Sequence, residues 1–267
     1  MSAALDWSLL PGRRFLLSWL LRACAGSLAV LSMAASADLR PLMQSLRQSV
    51  LPVGTFNPLN SPRFTFRGSG FVVGDGGLFL TNAHVLPDAS LAPAGQLAVL
   101  VMRPDGARET RSATLLRVDR AHDLALLKLD GPPLPALALA AAGGVQEGLE
   151  VVLVGFPIGG ALGFAPVIHR GIVSSLTTIA LPAPTAQQLP ARTVAKLREG
   201  AFPVYQLDAT AYPGNSGGPL VDAKTGQVVG VVNMVLVRGT RESALSNPTG
   251  ITYAIPVEFA LDLLKTP

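Results

Sequence analysis

Cysteine is almost absent from this sequence: Cys24 is the single one in 267 residues, so the chain cannot form an internal disulfide. The three histidines do not occur in an H-E-x-x-H pattern, and one cysteine cannot build a zinc site of paired cysteines. Neither a glycine-rich phosphate loop nor a dinucleotide-binding fingerprint is present. We therefore expect no disulfide, no metal ion and no cofactor.

Charged residues are also scarce, at 14%, whereas apolar residues make up 49% of the chain and are ample for a packed core. Three of the 21 basic residues and one of the 17 acidic residues lie before residue 38. If that part is removed, the formal net charge falls from +4 to +2. With so small a charge and no basic run, the sequence does not predict nucleic-acid binding.

The longest apolar stretch, residues 15–35, follows Arg13 and Arg14. Ala35-Ser36-Ala37 fits the small-residue rule for cleavage, which predicts a signal peptide over residues 1–37. Arg22 interrupts the stretch, and an uncleaved membrane anchor is the alternative. We expect an exported protein, periplasmic or secreted after cleavage, or anchored in the membrane and facing outside the cytoplasm without it.

The chain after residue 63 has the apolar period of two that is typical of strands. Short apolar runs separated by turn signals predict an all-β fold, with a first antiparallel β-barrel over residues 64–145 and a second over 146–267. Pro256, followed by Glu258 and Lys265, predicts a short helix at the end of the second unit. Residues 38–63 are expected to form an N-terminal arm.

Ser216 lies in the stretch Gly214-Asn215-Ser216-Gly217-Gly218, a glycine-rich turn that suits an exposed nucleophile. The backbone of Gly214, Asn215 and Ser216 is the candidate oxyanion hole. The stretch also fits the G-x-S-x-G elbow of α/β-hydrolases, which need their acid and histidine after the serine. All three histidines precede Ser216, so that interpretation fails.

A serine needs a neighbouring base before it can attack a carbonyl, and His84, just past a predicted strand, is the candidate. Asp123 is the candidate acid that would hold the imidazole tautomer. Asp119 and Asp130 are its rivals, and Asp123 is favoured because it directly precedes the apolar run 124–127. We expect His122 to be a surface loop residue and assign no role to His169.

These motifs occur in the order in which the trypsin-like serine peptidases have them, and the chain resembles the HtrA/Deg branch of that family most closely. The resemblance is carried by Gly68-Ser69-Gly70-Phe71-Val72-Val73, Thr81-Asn82-Ala83-His84-Val85, the run 123–129, Gly214-Asn215-Ser216-Gly217-Gly218-Pro219-Leu220, and 250–256. It implies two six-stranded antiparallel β-barrels of the chymotrypsin/trypsin-like fold. It also implies a triad of His84, Asp123 and Ser216.

As a function, the resemblance implies an exported serine endopeptidase for protein quality control that cleaves unfolded or misfolded proteins through an acyl-enzyme. Relatives often contain a PDZ domain, for which the chain has no room after residue 267, and often form trimers through their N-terminal segments. A membrane contact is expected only if residues 1–37 remain attached. The alternative is a non-catalytic peptide-binding or chaperone-like protein on the same fold.

The specificity pocket is also placed by the resemblance, with Thr210 at its base and Val232, Asn233 and Met234 in its walls. Thr210 offers no carboxylate to pair with a buried Lys or Arg, because burying an unpaired cation is costly. We therefore expect cleavage after small to medium aliphatic residues. Asn215 stands where trypsin-like zymogens commonly have an aspartate, so no activating cut is expected.

Overall fold

The computed structural model describes residues 39–87, 95–103, 105–159, 163–179, 201–233 and 250–265. The predicted signal peptide or anchor over residues 1–37 lies outside these ranges and stays a prediction. Within the described residues, no helix is both long and apolar enough to cross a membrane.

The first barrel consists of six antiparallel strands that close in the order β1-β2-β3-β6-β5-β4. Helix α1 (Leu39–Leu46) precedes them. The strands are β1 (Val50–Phe56), β2 (Phe64–Val73), β3 (Leu78–Asn82), β4 (Gln96–Met102), β5 (Arg108–Asp119) and β6 (Leu124–Leu129).

The expected boundary between the N-terminal arm and this barrel is wrong, because β1 lies within residues 38–63. It pairs with both β2 and β4 and so closes the barrel. Its residues Val50 to Thr55 are all buried, which removes the alternation that marks a half-exposed strand. Pro52 and a register shift between Val53 and Gly54 make the strand still harder to recognise from the sequence.

The second barrel has the same number of strands, and they close in the order β10-β11-β12-β9-β8-β7. Its strands are β7 (Glu150–Gly155), β8 (Val167–Ile179), β9 (Phe202–Asp208), β10 (Pro219–Asp222), β11 (Val228–Asn233) and β12 (Ile251–Pro256). Helix α2 (Val257–Lys265) follows directly. The predicted all-β fold of two six-stranded antiparallel barrels with a short C-terminal helix is confirmed.

Three apolar clusters hold these elements together. One fills the first barrel around Val72, Phe79 and Leu127, and one fills the second barrel. We call the third the junction cluster, because it joins the two barrels. Its members from α1 and the first barrel are Leu46, Val50, Phe71, Val73, Leu80, Leu124 and Leu126. Its members from the second barrel and α2 are Val152, Val154, Phe156, Phe202, Val204, Val221, Ala223, Val228, Val231, Ile255, Ala260 and Leu263. The ends of β3, β6 and β11 are therefore held close together between the barrels.

Candidate active site

His84 and Asp123 are brought together by the pairing of β3 with β6. Asn82, the last residue of β3, lies opposite Leu124, the first residue of β6. Beyond this pair, the backbone N–H of Ala83 and the side-chain amide of Asn82 both donate to the carbonyl oxygen of Asp123, at 3.1 and 3.0 Å. These bonds place the backbone of the next residue, His84, beside the Asp123 side chain.

The Asp123 carboxylate is buried, with a side chain 8% exposed, and accepts three hydrogen bonds. Its Oδ1 accepts from the backbone N–H of His84 at 2.8 Å, and its Oδ2 lies 2.5 Å from His84 Nδ1. Asn233, at the end of β11, donates its Nδ2–H to Oδ2 at 2.7 Å. Because Nδ1 of the imidazole contacts the carboxylate, Nε2 is the ring nitrogen that is left for other chemistry.

The turn that contains Ser216 requires glycine on both sides. Gly214 and Gly217 have φ angles of 107° and 84°, which L side chains rarely adopt. A Cβ at Gly217 would lie 2.2 Å from the Ser69 carbonyl oxygen, and one at Gly214 would lie 2.3 Å from that of Phe156. Both positions are therefore closed to other residues by backbone strain and by space.

Ser216 is attached to the first barrel through β2. The backbone N–H of Ser69 donates to the Ser216 carbonyl at 2.8 Å. A Cβ at Gly68 would lie 3.0 Å from that same carbonyl oxygen and 2.7 Å from a methyl group of Val85, the residue after His84. Ser216 and the His84 turn therefore flank the same short piece of β2.

Ser69 supports the Ser216 turn in a way that sequence analysis missed. Its buried hydroxyl donates to the Gly214 carbonyl at 2.6 Å and accepts from the Phe156 N–H at 3.0 Å. Its carbonyl accepts from the Thr81 hydroxyl at 2.7 Å. A small polar residue between two glycines of a buried strand was the signal in the sequence that could have indicated this role.

Asn215 does not fit its predicted place in an oxyanion hole. Its backbone N–H donates to the Tyr212 carbonyl at 3.0 Å and is used within the turn. The amide groups of Gly214 and Ser216 stay candidates for that role.

Two of the predicted pocket residues support the site instead of forming the wall of a pocket. The fully buried side chain of Val232 packs in the interior of the second barrel. Its backbone accepts from Gly217 N–H and donates to the Gly218 carbonyl, both at 2.9 Å. Asn233 turns its side chain to Asp123. Met234 lies outside the described residues, and Thr210 is partly buried just past β9.

His122 is not the surface loop residue that the sequence predicted. Its Nδ1 lies 2.6 Å from Oδ2 of Asp119, the rival acid, and both side chains are only about a quarter exposed. The ring stacks on Phe259 of α2, with ring centroids 3.9 Å apart, and meets Phe202 edge-on at 4.9 Å. The D-x-x-H spacing of Asp119 and His122 was the available signal for this second pair.

The third histidine, His169, lies on β8 near the Ser216 turn, with its ring centroid 5.9 Å from that of Tyr212. Burial disfavours the charged imidazole and lowers the pKa of His169 below its ordinary value of 6.5. Its buried Nε2 has no hydrogen-bond partner among the described residues. Across the ranges that the structure describes, no three His, Cys, Asp or Glu side chains are grouped so that they could hold a metal ion.

Comparison with known families and relatives gives a consistent result. A family model described as a trypsin-like peptidase domain matches residues 68–231. A probable periplasmic serine endoprotease DegP-like of Pseudomonas fluorescens is 34% identical over 202 residues, which are 74% of this chain and 35% of the relative. A protein of the same description from Hahella chejuensis is 33% identical over 198 residues. The chain spans about a third of the length of these curated relatives.

Solved structures with a similar fold include an HtrA-type protease, AlgW, with a decapeptide, at a TM-score of 0.59 and 25% identity. The match covers 85% of this chain and 66% of that one. A serine endoprotease from Yersinia pestis matches with a TM-score of 0.58 and 25% identity over 86% of this chain and 66% of its own.

Proposed function

The chain belongs to the trypsin-like peptidase family and is related to the HtrA/DegP serine endoproteases, and from that premise we propose that it is an exported serine endopeptidase that cleaves unfolded or misfolded proteins. The observation that carries the proposal is the 2.5 Å contact between His84 Nδ1 and the buried Asp123 carboxylate, beside a glycine-bounded serine turn that is bonded to the same barrel.

In the proposed reaction, the Ser216 hydroxyl attacks the carbonyl carbon of the substrate while Nε2 of His84 takes its proton. The scissile C–N bond then breaks, the amine leaves with the proton from His84, and an ester joins the acyl group to Ser216. Water hydrolyses that ester by the same transfer in reverse. Asp123 keeps its charge throughout, and its contact with Nδ1 stabilises the imidazolium form of His84.

The backbone N–H groups of Gly214 and Ser216 are proposed to bind the oxygen on which negative charge develops. Such donors are effective only when they are held in place before the reaction. Support for this comes from the two bonds of the buried Ser69 hydroxyl, which tie the Gly214 carbonyl to the Phe156 backbone. The bond between Ser69 N–H and the Ser216 carbonyl restrains the other end of the turn.

Two further parts of the proposal concern location and specificity. Export rests on the signal-like segment 1–37 and on the word periplasmic in the names of the relatives. Intact mass of the exported protein tests it, and a mass that retains residues 1–37 would favour an anchor. The preference for small or medium aliphatic residues rests on Thr210, and dominant cleavage of a peptide library after Lys or Arg would contradict it.

An active-site serine phosphonate and a casein digest together test the function. We expect the folded protein to react with the probe at Ser216 and to degrade casein. Ser216→Ala should abolish both, with a loss of about 10⁴-fold or more in rate. Ser174→Ala is the matched control, because Ser174 is an exposed serine on β8.

The proposal fails if the folded wild-type protein neither reacts with the probe nor degrades casein. In that case, suppression of the aggregation of unfolded protein would favour the non-catalytic, chaperone-like alternative.

A further inference from the structure

Asp123 has a backbone conformation that needs support from its surroundings. Its φ is 53°, in the left-handed region that residues other than glycine visit rarely, and the residue is buried. Such a residue keeps its conformation only where neighbouring contacts over-determine it. The direction of the carboxylate depends on that conformation, so the contacts on both sides of Asp123 matter for His84.

On its C-terminal side, Asp123 is held within the first barrel. Its carbonyl accepts the two hydrogen bonds from Asn82 and Ala83, and Leu124 begins the buried strand β6. These contacts fix the carbonyl end of the residue. They do not by themselves fix the peptide bond that joins it to His122.

On its N-terminal side, a closed turn holds Asp123. The Asp119 carboxylate accepts from the backbone N–H groups of Ala121 and His122, at 3.0 and 3.1 Å. Its second oxygen lies 2.6 Å from Nδ1 of the His122 ring. The side chain and the backbone of His122 are therefore anchored by the same carboxylate.

Aromatic residues of α2 and the second barrel contact the His122 ring. Phe259 stacks on it with the ring planes 18° apart, and Phe202 packs edge-on against both rings. Helix α2, which contributes Phe259, is itself held to β5 because Arg117 donates to the Leu263 carbonyl at 3.2 Å. An element at the end of the chain thus contacts the residue directly before Asp123.

We propose that His122 and Phe259 are positioning residues for the proposed peptidase: their stacked contact holds the 122–123 peptide bond and thereby aims the Asp123 carboxylate at Nδ1 of His84. This inference rests on the proposed function for its kinetic consequences, but not for its structural one. It predicts that the aromatic face of residue 259 matters more than the apolar volume at that position.

The test uses His122→Asn, which removes the ring but keeps a polar side chain beside Asp119, and Phe259→Leu, which keeps much of the volume but removes the face. Phe259→Tyr, which keeps the face, is the conservative rescue. Val229→Ala is the control for stability, since Val229 lies in the interior cluster of the second barrel, apart from the junction cluster. The melting temperature is measured for every variant.

We expect His122→Asn and Phe259→Leu to lower kcat about tenfold, with KM changed less than about twofold, because a misaligned acid weakens catalysis without removing substrate contacts. The acid limb of the pH–rate profile should move to lower pH, since a misdirected carboxylate stabilises the His84 imidazolium less. Phe259→Tyr should restore both. The same loss of kcat in Val229→Ala at an equal loss of melting temperature, with the acid limb unmoved in all variants, would overturn the proposal.

A second readout separates this inference from the proposed function. In ¹⁵N-labelled protein, we expect the proton between His84 Nδ1 and Asp123 Oδ2 to give a downfield resonance, whose observation needs no substrate. It should move upfield in His122→Asn and Phe259→Leu and stay in place in Val229→Ala. If wild-type protein is inert, a moved resonance still supports the positioning role, and a resonance unmoved in both ring variants refutes it.

Discussion

Two histidine–aspartate pairs meet at residues 122 and 123. In both, the backbone N–H of the histidine donates to Oδ1 and its Nδ1 contacts Oδ2, but the sequence separation and the surroundings of the two pairs differ. His84 and Asp123 are 39 residues apart in sequence, whereas His122 and Asp119 are neighbours within one turn. The Nδ1–Oδ2 distances are 2.5 and 2.6 Å. Contact distance alone therefore does not identify a catalytic pair.

The environments of the two carboxylates distinguish them. Asp123 is buried and accepts a further side-chain bond from Asn233. Asp119 is about a quarter exposed, and its remaining bonds close its own turn. The face of His122 is covered by the Phe259 ring, whereas His84 lies beside the Ser216 turn. The first pair suits proton transfer, and the second suits structural support.

The largest expected effect is a difference in kcat between variants of the two aspartates. Asp123→Asn should lower kcat by about 10⁴-fold, because an amide cannot hold the same tautomer or stabilise the imidazolium. Asp119→Asn is the matched change and should lower kcat by at most about tenfold, since the amide oxygen can still close the turn. Steady-state kinetics on a peptide substrate measures both, and similar losses in the two variants would contradict the comparison.

The next effect concerns the donor that only the first pair has. Asn233→Ala removes the 2.7 Å bond to Asp123 and leaves a buried carboxylate oxygen with one donor fewer. We expect the free energy of unfolding to fall by about 1–3 kcal/mol. We also expect kcat to fall by about 10-fold to 100-fold.

The control for this change is Asn57→Ala, which removes the exposed turn bond that Asn57 Oδ1 accepts from the Leu59 N–H. It should leave kcat unchanged. Chemical denaturation and kinetics give the two readouts, and an Asn233→Ala protein with wild-type kcat would show that the third bond is dispensable.

A smaller effect concerns the anchor of the second pair. Arg117→Met removes the charge-assisted bond to the Leu263 carbonyl at the end of α2 but keeps an apolar side chain. The free energy of unfolding should fall by about 1–2 kcal/mol, from the lost bond and the lost helix-dipole interaction. Urea denaturation measures this loss. Lys265→Gln on the same helix removes a charge that is largely exposed and therefore screened by water, so it should have little effect.

The smallest effect concerns the histidine without a carboxylate partner. Burial lowers the pKa of His169, so the folded protein binds fewer protons at this site than the unfolded chain does. Above pH 6.5, the ordinary pKa, His169 is neutral in both the folded and the unfolded protein, and burying it causes no pH-dependent loss of stability. As pH falls below 6.5 towards the lower pKa of the folded protein, only the unfolded chain gains the proton, so the folded state loses stability. His169→Gln should therefore weaken the dependence of the melting temperature on pH between about pH 7 and pH 5. An unchanged slope would contradict this account.

The fold and most of the candidate site could be predicted because their signals are local. Glycines around Ser216 are required by backbone angles and close contacts within a few residues. The buried run after Asp123 favoured that residue over Asp119 and Asp130, and the structure pairs it with His84. Strand β1 was missed because full burial and Pro52 hide its period. The roles given to Val232 and Asn233 depended on side-chain direction at a strand end, which a pattern of residue types does not contain.

The sequence by itself determined the strand-and-turn pattern, the glycine-bounded serine turn and the order of His84, Asp123 and Ser216, because each depends on residue type and spacing. Only the tertiary structure decided that Asp119 pairs with His122 and that Asn233 donates to Asp123. Adjacent residues His122 and Asp123 face different partners because the backbone turns at Asp123 with φ 53°. Their partners, His84, Asn233 and Phe259, come from three distant parts of the chain that meet only where the two barrels pack together.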